Sequence, residues 1–226
     1  MRVSKDGAEV RSLLAGFDGG HRVVNCEGAP FWIAPVQQQG RLGGLGWIDP
    51  ASGGRAKLHP ELGPAFALTS HGGRVFFMAH QRGGPDVIYS MRDDGTDLRG
   101  HVKMTRGVIG VAVGSGFVYW SHLMSDGRST DFGRVAVDGS SLPEALATLK
   151  DHVFQSLAVG KNGLIAATSA AELPGHVVHI PADKGAPQTW PSVPRVWQVV
   201  GDTDGVFLHH EHSDEGAAVR SFARLQ

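Results

Sequence analysis

The chain has 226 residues, 41% of them apolar, a formal charge of −1 and one cysteine. Balanced charge gives no global pull toward nucleic acid or an anionic membrane, and a single thiol excludes an internal disulfide framework. No apolar run reaches the roughly 18 residues of a membrane-spanning helix, and residues 1–10 are charged with no apolar segment after them, so neither a membrane helix nor a secretory signal is expected.

A cytoplasmic setting fits these limits. Glycine, at 32 residues, is about twice its usual share and sits mostly in turns such as Gly72-Gly73, Gly83-Gly84 and Asp138-Gly139. Helical periodicity is nearly absent. Residues 142–150 are the one segment open to a helical reading, and Pro143 favours a strand or turn there.

In chain order, residues 2–14 read as a hairpin around Asp6-Gly7. A unit then recurs: a small-residue apolar run, a Gly-containing turn, and a denser apolar or aromatic run. The second runs begin at Phe31, Val75, Val118, Ile165 and Phe207, spaced by 44, 43, 47 and 42 residues. Inner (a) strands are predicted over 22–27, 66–71, 109–115, 155–161 and 197–203. The second runs are the b strands, and c strands follow over 45–48, 87–91, 133–137, 176–180 and 218–222. Several c strands end in Asp-Gly or Asp-Lys-Gly turns, where positive φ and Asx bonding suit the residues. The outer d strands, 55–58 and 98–103, are weaker and more polar, as befits a sheet edge. Cys26 falls in the first apolar run, which predicts a buried, inert thiol.

A period of 40 to 50 residues filled with short strands predicts an all-β, single-domain β-propeller. Five four-stranded blades are expected: 20–63, 64–106, 107–152, 153–194, and 195–226 completed by 1–19. The last would be closed by strands from both termini; the alternative of six blades needs about 250 residues at this period.

The segment Val118-Tyr119-Trp120-Ser121-His122, followed by Gly133 through Val137 and Asp138-Gly139-Ser140-Ser141, resembles the YWTD-type propeller repeat. Ile88-Tyr89-Ser90-Met91 with Asp93-Asp94-Gly95-Thr96 is similar to its second half. The resemblance implies a propeller fold over most of the chain and no catalytic residue, since such repeats serve many binding proteins. His122 stands where that family has Asp, and its receptor-type members are usually six-bladed and extracellular.

In a propeller the d–a and b–c loops share one face, where ligands normally enter. Histidines collect there: His80, His122, His209, His210 and His212 end b strands or follow them. The b–c connections are expected as loops over 36–44, 80–85, 122–132, 169–175 and 210–215. His122, His210 and His80 are candidate general acids or bases, with Glu211 orienting His210, because imidazole moves protons near neutrality. A divalent metal held by His210 and His212, with His80 as a further ligand, is the alternative use of the same groups. The starts of the a strands add ligand-binding candidates: His21, Phe66, Arg106, His152, Gln155, Arg195 and Trp197. Arg106 and Arg195, read at one repeat position, would favour a carboxylate or phosphate, and Trp197 and Phe66 an apolar wall.

Other motifs are missing from the sequence. It has no nucleophile elbow, phosphate loop, paired-cysteine zinc pattern or EF-hand run, so no nucleotide cofactor is expected. Asp126, Asp131 and Asp214 follow no defined cation-loop spacing. The expected function is a small-molecule enzyme of lyase, cyclase or hydrolase type acting on a polar or anionic metabolite. Its alternative is a non-catalytic propeller that binds a ligand or protein partner on the same face.

Overall fold

Alternating apolar residues cut by glycine turns fold here into antiparallel hairpins. The computed structural model describes residues 2–3, 10–11, 23–26, 29–33, 45–48, 56–58, 62, 65–80, 84–105, 107–168, 175–190, 196–202, 205–214 and 217–225. Among them every regular element longer than a single bridge is a β-strand, and the chain divides into two compact units, residues 1–100 and 101–226.

In the first unit β1 (Arg2–Val3) pairs with β2 (Val10–Arg11), at the predicted hairpin. β3 (Val23–Cys26), β4 (Ala29–Ile33), β5 (Leu45–Ile48) and β6 (Ala56–Leu58) form a four-stranded meander. A second meander joins β7 (Ala65–His71), β8 (Arg74–His80), β9 (Asp86–Arg92) and β10 (Arg99–Met104). Strands β3 and β7 are neighbours, and Leu45, Leu68, Val75, Phe77 and Met91 fill a buried cluster.

The second unit repeats the pattern. Its first sheet is β11 (Val108–Gly114), β12 (Phe117–Leu123), β13 (Thr130–Ala136) and β14 (Glu144–Leu149). The next is β15 (Phe154–Gly160), β16 (Gly163–Thr168), β17 (Val177–Pro181) and β18 (Gln188–Thr189). A three-stranded sheet follows: β19 (Val196–Asp202), β20 (Gly205–Asp214) and β21 (Ala217–Leu225). The first strands β11, β15 and β19 lie side by side in that order, so successive meanders stack through their inner strands. A Cβ on Gly114 would lie 2.9 Å from the Val159 side chain, which shows how closely β11 and β15 approach. Sequential meanders stacked by their inner strands are the blades of a propeller, and the fold is all-β of that class.

The hairpin turns correct the alignment of the repeats. Cys26 faces Ala29, His71 faces Arg74, Gly114 faces Phe117, Gly160 faces Gly163 and Asp202 faces Gly205. The equivalent b-strand residues are therefore Pro30, Val75, Val118, Leu164 and Val206. The sequence alignment on Phe31, Ile165 and Phe207 is one residue out in three repeats. Turn length fixes antiparallel register, whereas a continuous apolar run has no internal marker of phase.

The packing explains the Tyr-Trp phrase. Tyr119 is buried in a cluster with Ala112, Phe132, Phe154, Leu164 and Ile180. Trp120, also buried, faces Gly133 across β12 and β13. Ser121 is wholly buried and its Oγ has no hydrogen-bond partner among the described residues. Removing an unsatisfied hydroxyl costs nothing in lost bonds, so Ser121→Ala is expected to hold or raise stability by up to about 1 kcal/mol. A thermal melt that drops by several degrees would show instead that the hydroxyl is bonded.

At the opposite end of the β7–β10 sheet, Arg74 and Arg92 face each other in register, an unfavourable like-charge pair. Asp97 relieves it, accepting from Arg74 and Arg99 at 2.8 Å each. The Arg99 and then the Arg74 hydrogen bonds hold its carboxyl at about 2, below the ordinary 3.8. A depressed folded value contributes stability above pH 3.8 that is lost as pH falls toward 2. Asp97→Asn should therefore be less stable than the parent near neutrality, and the gap in urea midpoint should narrow through this acid window.

Candidate functional site

The end of each sheet that carries the b–c connection and the start of the inner strand holds most of the candidate residues. His80 is the last residue of β8 and Asp86 the first of β9, and the hairpin sets them directly opposite. Their side chains form a hydrogen bond between His80 Nδ1 and Asp86 Oδ1. Asp86 is 1% exposed, while the His80 side chain is 31% exposed. A carboxylate oxygen accepts here, so Nδ1–H donates, and in the neutral ring that tautomer puts the lone pair on Nε2. Phe66, 43% exposed, meets the His80 ring edge-on with centroids 5.1 Å apart.

A partly exposed imidazole beside a buried carboxylate is an arrangement that can orient a general base. Sequence reading singled out His80 and Phe66 but missed Asp86. The available signal was the hairpin itself, whose register pairs the end of one strand with the beginning of the next.

His122 lies opposite Val108 and Asp131. Its Nε2 is enclosed with no hydrogen-bond partner among the described residues, close to the backbone of Gly107. A Cβ on Gly107 would come within 3.1 Å of that nitrogen and 2.7 Å of the Leu123 carbonyl. His122, like His80, is half-buried, but its Nε2 is enclosed beside the backbone. His122, Thr168 and His210 occupy one repeat position, each opposite the first residue of its inner strand.

The acidic residues near β12 and β13 are engaged locally. Asp126 accepts from the Arg128 and Ser129 amides and the Ser129 hydroxyl, bonds that hold its carboxyl at about 2. Asp131 accepts from Thr148 on β14.

His152, between β14 and β15, has its ring 3.9 Å centroid to centroid from that of His176, at an interplanar angle of 34°. Each inner strand of the second unit has a register irregularity near its start: Val108/Gly110, Phe154/Ser156 and Val196/Gln198. β7 has one between Phe66 and Thr69. Gln155 and Trp197 are the residues skipped in two of these ladders, though their side chains lie outside the described residues.

His210, Glu211 and His212 sit in β20, opposite Ser221, Arg220 and Val219; their side chains are likewise outside. The predicted loop over 210–215 is corrected here, because β20 keeps pairing through Asp214. His21, Arg106 and Arg195 lie outside the described residues. The strands after the two arginines begin at Val108 and Val196, so Arg106 precedes its strand by two residues and Arg195 by one. The expected match of repeat position is corrected by that offset. Among the described residues no group of three His, Cys, Asp or Glu is placed to hold a metal.

No protein-family model matches the chain, and no curated protein matches it in sequence. Its fold is similar to that of TolB from Acinetobacter baumannii, at TM-score 0.65 and 11% identity over 98% of this chain and 56% of that one. The chain thus spans little more than half the length of that protein. It is also similar to a gluconolactonase from Xanthomonas campestris, at TM-score 0.57 and 14% identity over 83% of this chain and 67% of that one. An exo-β-1,3-galactanase from Phanerochaete chrysosporium gives TM-score 0.53 and 8% identity, covering 99% and 62% of the two chains. At these identities the likeness shows the fold.

Proposed function

We propose that the chain is a small-molecule enzyme of hydrolase, lyase or cyclase type in which His80 is the general base and Asp86 its orienting carboxylate. The observation that carries the reading is the buried Asp86 carboxylate on His80 Nδ1, with the imidazole partly open to solvent. His80 Nε2 would take a proton from water or a substrate hydroxyl, and the Asp86 carboxylate would stabilise the imidazolium formed. The same nitrogen would return the proton to the leaving group. Phe66 supplies an apolar edge beside the reacting atoms.

A polar or anionic metabolite is the favoured substrate, with Arg106 and Arg195 as the anion-binding groups and Gln155 and Trp197 as further contacts. The similar folds that are by name a gluconolactonase and a galactanase support a sugar-derived substrate of hydrolytic type. In this reading the sheets form one ring of five blades in the cytoplasm. In the same reading the His80 edge belongs to the ligand-entry face. The test is a panel of aldonolactones, aryl esters and aryl glycosides assayed with parent and His80→Ala. Turnover that depends on His80 supports the reading; ligand binding without turnover, indifferent to His80, would favour the non-catalytic alternative.

A further inference from the structure

The backbone of β7 is strained beside His80. Ala67 has a φ of 50°, in the left-handed region that is costly for a residue with a Cβ and that glycine visits freely. The ladder slips at the same place. Phe66 faces Met78 and Thr69 faces Phe76, so Ala67 and Leu68 together oppose the single residue Phe77. The result is a β-bulge whose first residue is left-handed, a position where glycine is usual.

The bulge decides which face Phe66 takes. Successive residues of a strand alternate between faces, and directly opposed residues share one. Ala65, opposite Ala79, belongs with it to the buried cluster of Leu45, Phe77 and Met91. Leu68, three residues further on, belongs to the same cluster. In a regular strand positions 65 and 68 would lie on opposite faces, and 66 and 68 on the same one. The extra residue reverses this. Leu68 stays in the core with Phe77, while Phe66 shares the face of Met78. His80, two residues beyond Met78, takes that face too, so Phe66 and His80 are diagonal neighbours across the hairpin. Their ring centroids lie 5.1 Å apart, and Phe66 is exposed whereas Leu68 is buried.

Left-handed strain at a residue other than glycine persists only where the surrounding packing over-determines it, and bulges re-aim side chains. We propose that Ala67 is a positioning residue of the His80 site. Its left-handed bulge turns Phe66 out of the core and against the imidazole, where the ring forms a wall for the substrate. The inference rests on the reading of His80 as general base. It adds the backbone device that places Phe66 beside that base.

The experiment combines NMR of the carbon-bound ring protons of His80, assigned by their loss in His80→Ala, with steady-state kinetics on the lactone, ester and glycoside panel. Phe66→Leu removes the aromatic ring current and sets the reference shift. Ala67→Gly, which accepts positive φ, should keep the shifts and KM of the parent. Ala67→Val, whose branched side chain resists positive φ, should move the shifts to those of Phe66→Leu. Both Ala67→Val and Phe66→Leu should raise KM by about three- to tenfold, the range an aromatic contact supplies, with kcat little changed. The inference is overturned if Ala67→Val keeps the parent's shifts. It is equally overturned if Ala67→Gly loses them, because the methyl and not the backbone would then hold Phe66. Should Ala67→Val fail to fold, the Ala67→Gly comparison decides. Shifts that move while KM stays fixed would overturn the role of Phe66 as a wall. Turnover indifferent to His80→Ala would instead overturn the reading of His80 as base, and the shift comparison would be unaffected.

Discussion

Asp86→Asn is expected to lower kcat/KM by about 10²-fold or more, approaching the loss caused by His80→Ala. The reason is tautomeric rather than steric. The carboxylate can only accept from Nδ1, which leaves the lone pair on Nε2. An asparagine amide can donate to Nδ1 instead, and the proton then resides on Nε2, where it blocks a base. Both variants should act mainly on kcat, since neither group is assigned to substrate binding. Phe66→Ala, which removes only the apolar edge, should raise KM more than it lowers kcat. Steady-state kinetics on a substrate from the lactone, ester or glycoside panel, with melting curves as a control, distinguishes these outcomes. Full activity in Asp86→Asn would remove the pair from the mechanism.

Gly133→Val should destabilise the second unit by about 3 kcal/mol, the upper part of the range for overpacking. A Cβ at this position meets two obstacles that cannot give way together. It would lie 2.6 Å from Trp120 Cε2 and 2.9 Å from the backbone carbonyl of Glu144. The rigid indole is held within the buried sheet face, and the carbonyl belongs to β14, which pairs with β13. Trp120→Ala leaves a large cavity and should cost about 3–5 kcal/mol. Combining it with Gly133→Ala should cost clearly less than the sum of the two single changes, because the smaller neighbour makes room for the new methyl. Urea denaturation of the four species measures the coupling; strict additivity would mean that the indole does not occupy the space over Gly133.

Strand-by-strand architecture was largely legible in the sequence because a two-residue alternation and a repeated glycine turn each carry positional information. The c strand at Leu45–Ile48 matches its predicted range, and the five inner strands lie within about a residue of theirs. The phase of the b strands at Leu164 and Val206 was not legible. In Gly163–Thr168 every residue is buried, so the apolar run offers no alternation to count. The length of β20 was not legible for a related reason: residues 210–215 read as polar loop, yet through Asp214 the backbone pairs residue by residue with β21. For the proposed site, residue type singles out His80. The partner that gives it chemical meaning, Asp86, is visible only once the hairpin register is known.

The ladder irregularities at the starts of the inner strands have an evolutionary consequence. A residue skipped by the ladder has no directly opposed partner, so exchanging it leaves the hairpin's phase and the neighbouring pairs intact. Ile109, Gln155 and Trp197 are such residues, one in each successive sheet of the second unit. They are an isoleucine, a glutamine and a tryptophan, while the first residues of the same strands, Val108, Phe154 and Val196, are all apolar and buried. The scaffold thus sets paired, buried first positions beside positions that the ladder skips. A library confined to these three residues should change ligand preference with little change in melting temperature.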